Sequence, residues 1–179
     1  MIVIVDNGRN ADKVAALIRG QKTVIKIGAP IPKNASAVIL TDGDVKNQKA
    51  NEKIIQSFGK PLLGIGNASL FLGTAEGMQI VPGKVAKNER VKIERPCAVL
   101  LDMKKMFTVM KSSTHELDDL PDTLDVMASS KYPFEVIAHN EKPYFGVHFN
   151  PELGAEGMQV IQNFCGSFIG IWEKYHGSK

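Results

Sequence analysis

Three features of this sequence predict an α/β fold with a mainly parallel sheet covered by helices on both faces. Short β-branched runs alternate with segments whose apolar residues recur at helical spacing. Those runs are apolar throughout rather than at every second residue, the pattern of strands buried on both faces. Turn-forming Asp, Asn, Gly and Pro residues separate them. Alternation of this kind builds βαβ units with right-handed crossovers.

Met1–Val5 reads as a first strand, ended by the turn signal Asp6-Asn7-Gly8. Val14, Leu17 and Ile18 mark Asn10–Arg19 as a helix with Asn10 as its N-cap. Thr23–Ile27 is a second strand, and Gly28–Lys33, which holds two prolines, is a loop. Ala37–Leu40 is a third strand running into the turn Thr41-Asp42-Gly43-Asp44. Ala50, Ile54, Ile55 and Phe58 form one face of the next helix, and Pro61–Ile65 is a fourth strand. The middle of the chain then changes character. Gly83–Lys92 and Pro96–Met110 carry short β-like runs with few helical stripes, Cys97 leading one of them. Phe134–Ala138, turning through His139-Asn140-Glu141-Lys142 into Tyr144–Phe149, reads as a hairpin of a small antiparallel section. The last helix presents Met158, Ile161, Cys165, Phe168, Ile169 and Trp172 on one apolar stripe. No repeat or linker interrupts the pattern, so a single domain over residues 1–179 is expected.

An apolar content of 44% is ample for a core, and a net charge of +3 gives no dense basic block interleaved with aromatics. No nucleic-acid partner is expected. The apolar start is too short for a signal peptide, and nothing approaches the ~20 apolar residues of a membrane span. Cys97 and Cys165 form no C-x-x-C pair, which fits free thiols and a cytoplasmic location. His115, His139 and His176 lie in polar stretches expected to be exposed.

Pro61–Ser69 carries the most telling pattern: a buried strand, a sharp turn and a helix, with Gly66 at the apex. Acyl-transfer enzymes place a Cys or Ser at such an apex. Gly66 has no atom that can attack a carbonyl, yet it adopts the strained positive φ of an elbow without steric penalty. Gly64 and Ala68 remain small, as close approach of strand and helix requires.

Gly64–Leu70, G-I-G-N-A-S-L, resembles the G-I-C-x-G-H-Q elbow of class I glutamine amidotransferases, and Gly146–Glu152, G-V-H-F-N-P-E, resembles their G-V-Q-F-H-P-E. Val5-Asp6-Asn7-Gly8, Leu120-Pro121, Met127-Ala128-Ser129-Ser130, Lys142-Pro143 and Asn163-Phe164 fit as well, in order along the whole chain. The likeness is to the separate amidotransferase subunit of archaeal GMP synthases. It implies a flavodoxin-like sandwich and glutamine hydrolysis by a Cys–His–Glu triad without cofactor or metal. It also implies partnership with a synthetase (ATP-pyrophosphatase) subunit.

On that alignment Gly66 stands at the Cys position, Asn150 at the His position and Glu152 at the Glu position. No catalytic residue is therefore expected: an amide cannot act as a general base. Gly43 and Asn67 are the counterparts of the oxyanion-hole donors. Thr41-Asp42-Gly43-Asp44 replaces the family's S-G-G-P and brings two carboxylates toward a site meant for developing negative charge. Lys111–Glu116 replaces roughly M-S-H-G-D-E beside the glutamine pocket; only Ser112 and Glu116 match. A relocated nucleophile set of Ser69 and His148 with Glu152 is the substitute chemistry the sequence offers, against a helix Ser and a strand His with no chemical role. His148 and Glu152 lack a third partner at metal-ligand spacing. The sequence thus predicts a catalytically inactive homologue that binds, scaffolds or regulates. The alternative is a working subunit that relies on a moved nucleophile or on chemistry supplied by its partner.

Overall fold

A computed structural model describes residues 1–84 and 87–177. Positions 85 and 86, inside the expected β-like stretch Gly83–Lys92, lie outside the described residues. A nine-stranded sheet runs through the molecule. Its strands are β1 (Ile2–Asp6), β2 (Lys22–Lys26), β3 (Ala37–Leu40), β4 (Leu62–Ile65), β6 (Asn88–Ile93), β7 (Met106–Met110), β9 (Leu124–Ser129), β10 (Val136–His139) and β11 (Tyr144–Val147). Their order is β2-β1-β3-β4-β11-β10-β9-β6-β7. The first five strands of that order are mutually parallel, and the remaining pairings are antiparallel. The order 2-1-3-4 followed by a fifth parallel strand is the flavodoxin-like doubly wound arrangement. The β10–β11 hairpin pairs Val136 with Val147 and Ile137 with Gly146, which joins the antiparallel strands to the parallel half. β5 (Ile80–Pro82) and β8 (His115–Leu117) form a separate antiparallel pair.

Both faces of the parallel half are covered, which is why β3, β4 and β11 are buried at every residue. Alternate residues feed two cores. Ile2, Ile4, Ile39, Leu63 and Val147 pack with Val14 and Ile18 of the α1 region (Ala11–Leu17) and with Val160 and Ile161 of α4 (Ala155–Gln162). Val3, Val5, Val38, Leu40 and Leu62 pack on the other side with Ile55 of α2 (Gln48–Ser57) and with Phe71 and Leu72 of α3 (Asn67–Thr74). β2 lies at the sheet edge and alternates between exposed and half-buried residues.

Four local expectations are corrected or refined. Asn10 stands at the N-cap of α1 as expected, and its carbonyl accepts the Val14 N–H at 3.0 Å, but it is left-handed at φ 57° and its side chain makes no capping bond. The C-terminal helix is interrupted by a π-helical segment, Asn163–Phe168, before α5 (Ile169–His176), although Ile161, Cys165, Phe168 and Ile169 of its apolar stripe still pack on the core. Cys97 precedes the 3₁₀ turn Ala98–Leu100 rather than leading a strand, and burial pushes its thiol up to about 11. His139 is buried, edge-on to Tyr144, and burial lowers its pKa. Among the described residues no helix is long and apolar enough to cross a membrane.

Candidate functional site

Three connections lie at the C-terminal ends of the central parallel strands β1, β3 and β4: the β1–α1 loop, the β3–α2 loop and the β4–α3 turn. Residues 111–114 and the β11–α4 loop converge on them. Doubly wound sheets bind ligands at this edge. Gly66 sits at φ 58°, ψ −128°, a conformation that strains any residue carrying a Cβ. Its N–H donates to the Val147 carbonyl at 2.8 Å, which ties the elbow to β11. A Cβ added at Gly64 would lie 2.7 Å from the Ala68 carbonyl oxygen, so the strand and helix meet too closely for a side chain there.

A Cβ added at Gly66 would lie 2.5 Å from both Cγ and Oδ1 of Asp42. The space into which the elbow would present a nucleophile therefore holds the Asp42 carboxylate. Asp42 is 0% exposed. Its Oδ1 accepts the backbone N–H of Gly43 and that of Asn67, each at 2.9 Å. These are the two donors that the sequence alignment places at the oxyanion hole. Its Oδ2 accepts from the Ser112 hydroxyl at 2.6 Å, from Asn150 Nδ2 at 3.2 Å and from Arg9 Nη1 at 3.4 Å. Asp44 turns away instead: its side chain is half-exposed and accepts from the Lys46 N–H.

Asn150 spans two carboxyl groups. Its amide nitrogen lies 3.2 Å from Asp42 Oδ2 and 3.2 Å from Glu152 Oε1, while its carbonyl accepts the Ser112 N–H at 2.8 Å. Glu152 Oε1 also accepts from Asn10 Nδ2 at 2.9 Å, and its Oε2 is buried without a partner among the described residues. Burial raises the Glu152 pKa above the ordinary carboxyl value, and the nearby Asp42 charge pushes the same way. The Asn67 side chain ties two of these segments to the elbow. Its amide nitrogen donates to the Gly43 carbonyl at 2.8 Å, and its amide oxygen accepts the Ser113 hydroxyl.

Gly43 is held by packing: a Cβ there would fall 2.0 Å from the Asn7 carbonyl oxygen. Asn7 in turn exchanges two amide bonds with buried Asn51, at 3.1 and 3.0 Å, which clamps the β1–α1 loop to α2. Sequence reasoning missed Arg9, Asn10 and Asn51 as parts of this site. The one available signal was Asn10 itself, since Asn tolerates the left-handed region and can leave a helix cap for another partner.

Among the described residues no hydrogen bond joins Ser69 to His148. The Ser69 hydroxyl donates to the Gly66 carbonyl at 2.7 Å inside α3, and His148 Nε2 donates to the His115 carbonyl at 2.8 Å. His148 packs on Tyr132, 4.4 Å between ring centroids, and burial with nearby Lys111 lowers its pKa to about 3. It is a neutral ring at physiological pH. Beneath it, Lys111 and Glu135 form a buried ion pair that Ser130 also joins. Among the described residues no group of three or more His, Cys, Asp or Glu side chains is placed to hold a metal ion.

A doubly wound sheet with a strand–elbow–helix turn at the C-terminal ends of its parallel strands is the fold shared with class I glutamine amidotransferases. The family model described as Glutamine amidotransferase class-I matches residues 4–167, and the chain belongs to that family. The chain is similar to a subunit of the glutamine-hydrolyzing GMP synthase of Pyrococcus abyssi, 28% identical over 92% of this chain and 97% of the relative. The corresponding subunit of Methanococcus vannielii is also 28% identical, over 92% of this chain and 95% of the relative. Among solved structures, a Thermoplasma acidophilum protein assigned as a GMP synthase subunit superposes with TM-score 0.90 at 19% identity, covering 99% of this chain and 97% of that one. A Thermotoga maritima glutamine amidotransferase superposes with TM-score 0.69 at 15% identity, over 97% of this chain and 84% of that one.

Proposed function

We propose that this chain is an amidotransferase homologue that does not hydrolyse glutamine and acts instead as a binding, scaffold or regulatory protein in the cytoplasm. The observation that carries this reading is the occupancy of the elbow. Gly66 supplies no nucleophile, and the Asp42 carboxylate fills the space a nucleophile would need. A second support is Asn150, which presents an amide where proton transfer calls for an imidazole. Glu152 keeps its place but orients an amide, and it accepts from Asn10 as well.

The same reading keeps a partner. The relatives are named as subunits, and similarity over nearly their full length favours a retained docking surface for a synthetase (ATP-pyrophosphatase) subunit. Docking then serves assembly or regulation rather than ammonia delivery. Treatment of the folded chain with an electrophilic glutamine analogue, followed by peptide mass spectrometry, tests the chemistry. No adduct is expected at any residue; a stoichiometric adduct on Ser69 or another side chain of the site overturns the reading. Docking is tested by size-exclusion chromatography of the chain mixed with a synthetase subunit, both at high micromolar concentration. Two separate peaks count against it.

A further inference from the structure

The two backbone N–H groups expected at the oxyanion hole point at one place although no nucleophile stands beside them. Two backbone N–H groups, from different loops, meet on one oxygen of Asp42, and a hydroxyl, an amide and a guanidinium meet on the other. Five donors around one fully buried carboxylate constitute a built anion site. Four of the five come from outside residue 42 and its neighbour: Asn67, Ser112, Asn150 and Arg9 reach it from separate segments. An aspartate side chain serving only its own turn would not draw donors from four other places in the chain.

We propose that Asp42 is a tethered ligand: the chain occupies its own carboxylate-binding site with its own carboxylate. The native ligand class of the cradle is thus a small carboxylate, and Asp42 both holds the site assembled and denies it to free anions. This rests on the non-hydrolysing reading of the elbow and adds to it the chemistry that the site still recognises. The geometry also sets the size limit. The Asp42 side chain beyond Cα is a methylene and a carboxylate, which is acetate less one hydrogen. The space it fills is closed on the elbow side by Gly66, where even a methyl group would collide.

The test is chemical complementation. Asp42→Gly removes the methylene and the carboxylate together and leaves an acetate-sized cavity lined by donors. Thermal unfolding is followed at pH 7 in rising sodium acetate, with sodium chloride holding the ionic strength constant. Saturable stabilisation of Asp42→Gly by acetate is expected, with formate weaker and the unsubstituted chain unresponsive. At ten times the dissociation constant the ligand contributes about 1.4 kcal/mol, a rise of about 3–6 °C in Tm for a chain of this length. Equal responses of variant and unsubstituted chain to acetate overturn the proposal.

Should Asp42→Gly fail to fold, Asp42→Asn decides the matter by amide hydrogen exchange. Asn keeps one acceptor oxygen for the Gly43 and Asn67 N–H groups but loses its charge, and a neutral acceptor is roughly half as strong, so exchange of both should speed about tenfold relative to neighbouring loop amides. Unchanged protection at both amides overturns the tethered-ligand claim. Neither readout depends on glutamine. A failed acetate response leaves the absence of hydrolysis standing, whereas ammonia release by the unsubstituted chain removes that reading whatever acetate does.

Discussion

Gly66→Cys restores the missing sulfur, and two separate penalties in the structure set its cost. At φ 58° a side chain carries about 1–3 kcal/mol of backbone strain. Its Cβ also meets Asp42 Cγ and Oδ1 at 2.5 Å, so the carboxylate must leave its five donors or the elbow must shift, at a further cost of about 1–3 kcal/mol. The single variant should therefore lose about 2–6 kcal/mol. Asp42→Gly alone exposes its donors to water and should lose about 1–3 kcal/mol. Gly is the right replacement, because even the Asp42 Cβ lies 2.8 Å from the introduced carbon. In the double variant the collision disappears while the strain stays. The two losses should then fall short of additivity by about 1–3 kcal/mol. Urea titration of the four proteins at pH 7, with a common m-value, measures that coupling. Additivity within about 0.5 kcal/mol would refute the claim that Asp42 holds the nucleophile's space.

Further outcomes follow from neighbouring groups. Gly66→Cys with Asn150→His should release no ammonium from glutamine at an enzyme-like rate, because Asp42 still occupies the donors; strong turnover in that variant shows that the carboxylate is easily displaced. His148 stays neutral in the folded protein to about pH 3, whereas the unfolded chain takes up its proton below about 6.5. Stability should thus fall as the pH drops from 6.5 toward 3, by up to about 1.4 kcal/mol per pH unit, and His148→Gln should remove that component from the urea midpoints. Identical slopes in the two proteins contradict the buried-ring assignment. Glu152 has a raised folded pKa, so the stability linked to its proton is present below the ordinary carboxyl value and lost as the pH rises through the folded one. Glu152→Gln should consequently be more stable than the unsubstituted chain at pH 8, by about 1–2 kcal/mol, with the gain vanishing near pH 4. A gain that is larger in acid reverses the sign and disproves it.

The parallel half of the fold is legible in the sequence because its signals are local. Ile2–Val5, Ala37–Leu40 and Leu62–Ile65 are apolar runs that can be satisfied only between two covered faces. The Gly66 turn is legible for the same reason, since glycine at that apex points to positive φ. The hairpin can be read as well, but its continuity with β9, β6 and β7 cannot, because strand pairing across the sheet depends on contacts distant in sequence. The π segment at Asn163–Phe168 leaves Ile161, Cys165, Phe168 and Ile169 on the core, so periodicity gives no warning of it. Asp42 is recognisable as a carboxylate near the site, but the direction of its side chain is not. Four of its donors sit at residues 9, 67, 112 and 150, and no spacing rule connects those positions. Asn10 is legible as the N-cap residue of α1, but the departure of its side chain from the helix to Glu152, a partner 142 residues away, is not.

Ammonium release from glutamine by the purified chain, measured beside an Asp42→Gly and a Glu152→Ala variant, bears most directly on whether this elbow retains any chemistry. All three proteins should match buffer alone. Sustained turnover by the unsubstituted chain that disappears on Glu152→Ala would contradict the central claim, since a site with no sulfur, no imidazole and its own carboxylate in residence has no means to produce it.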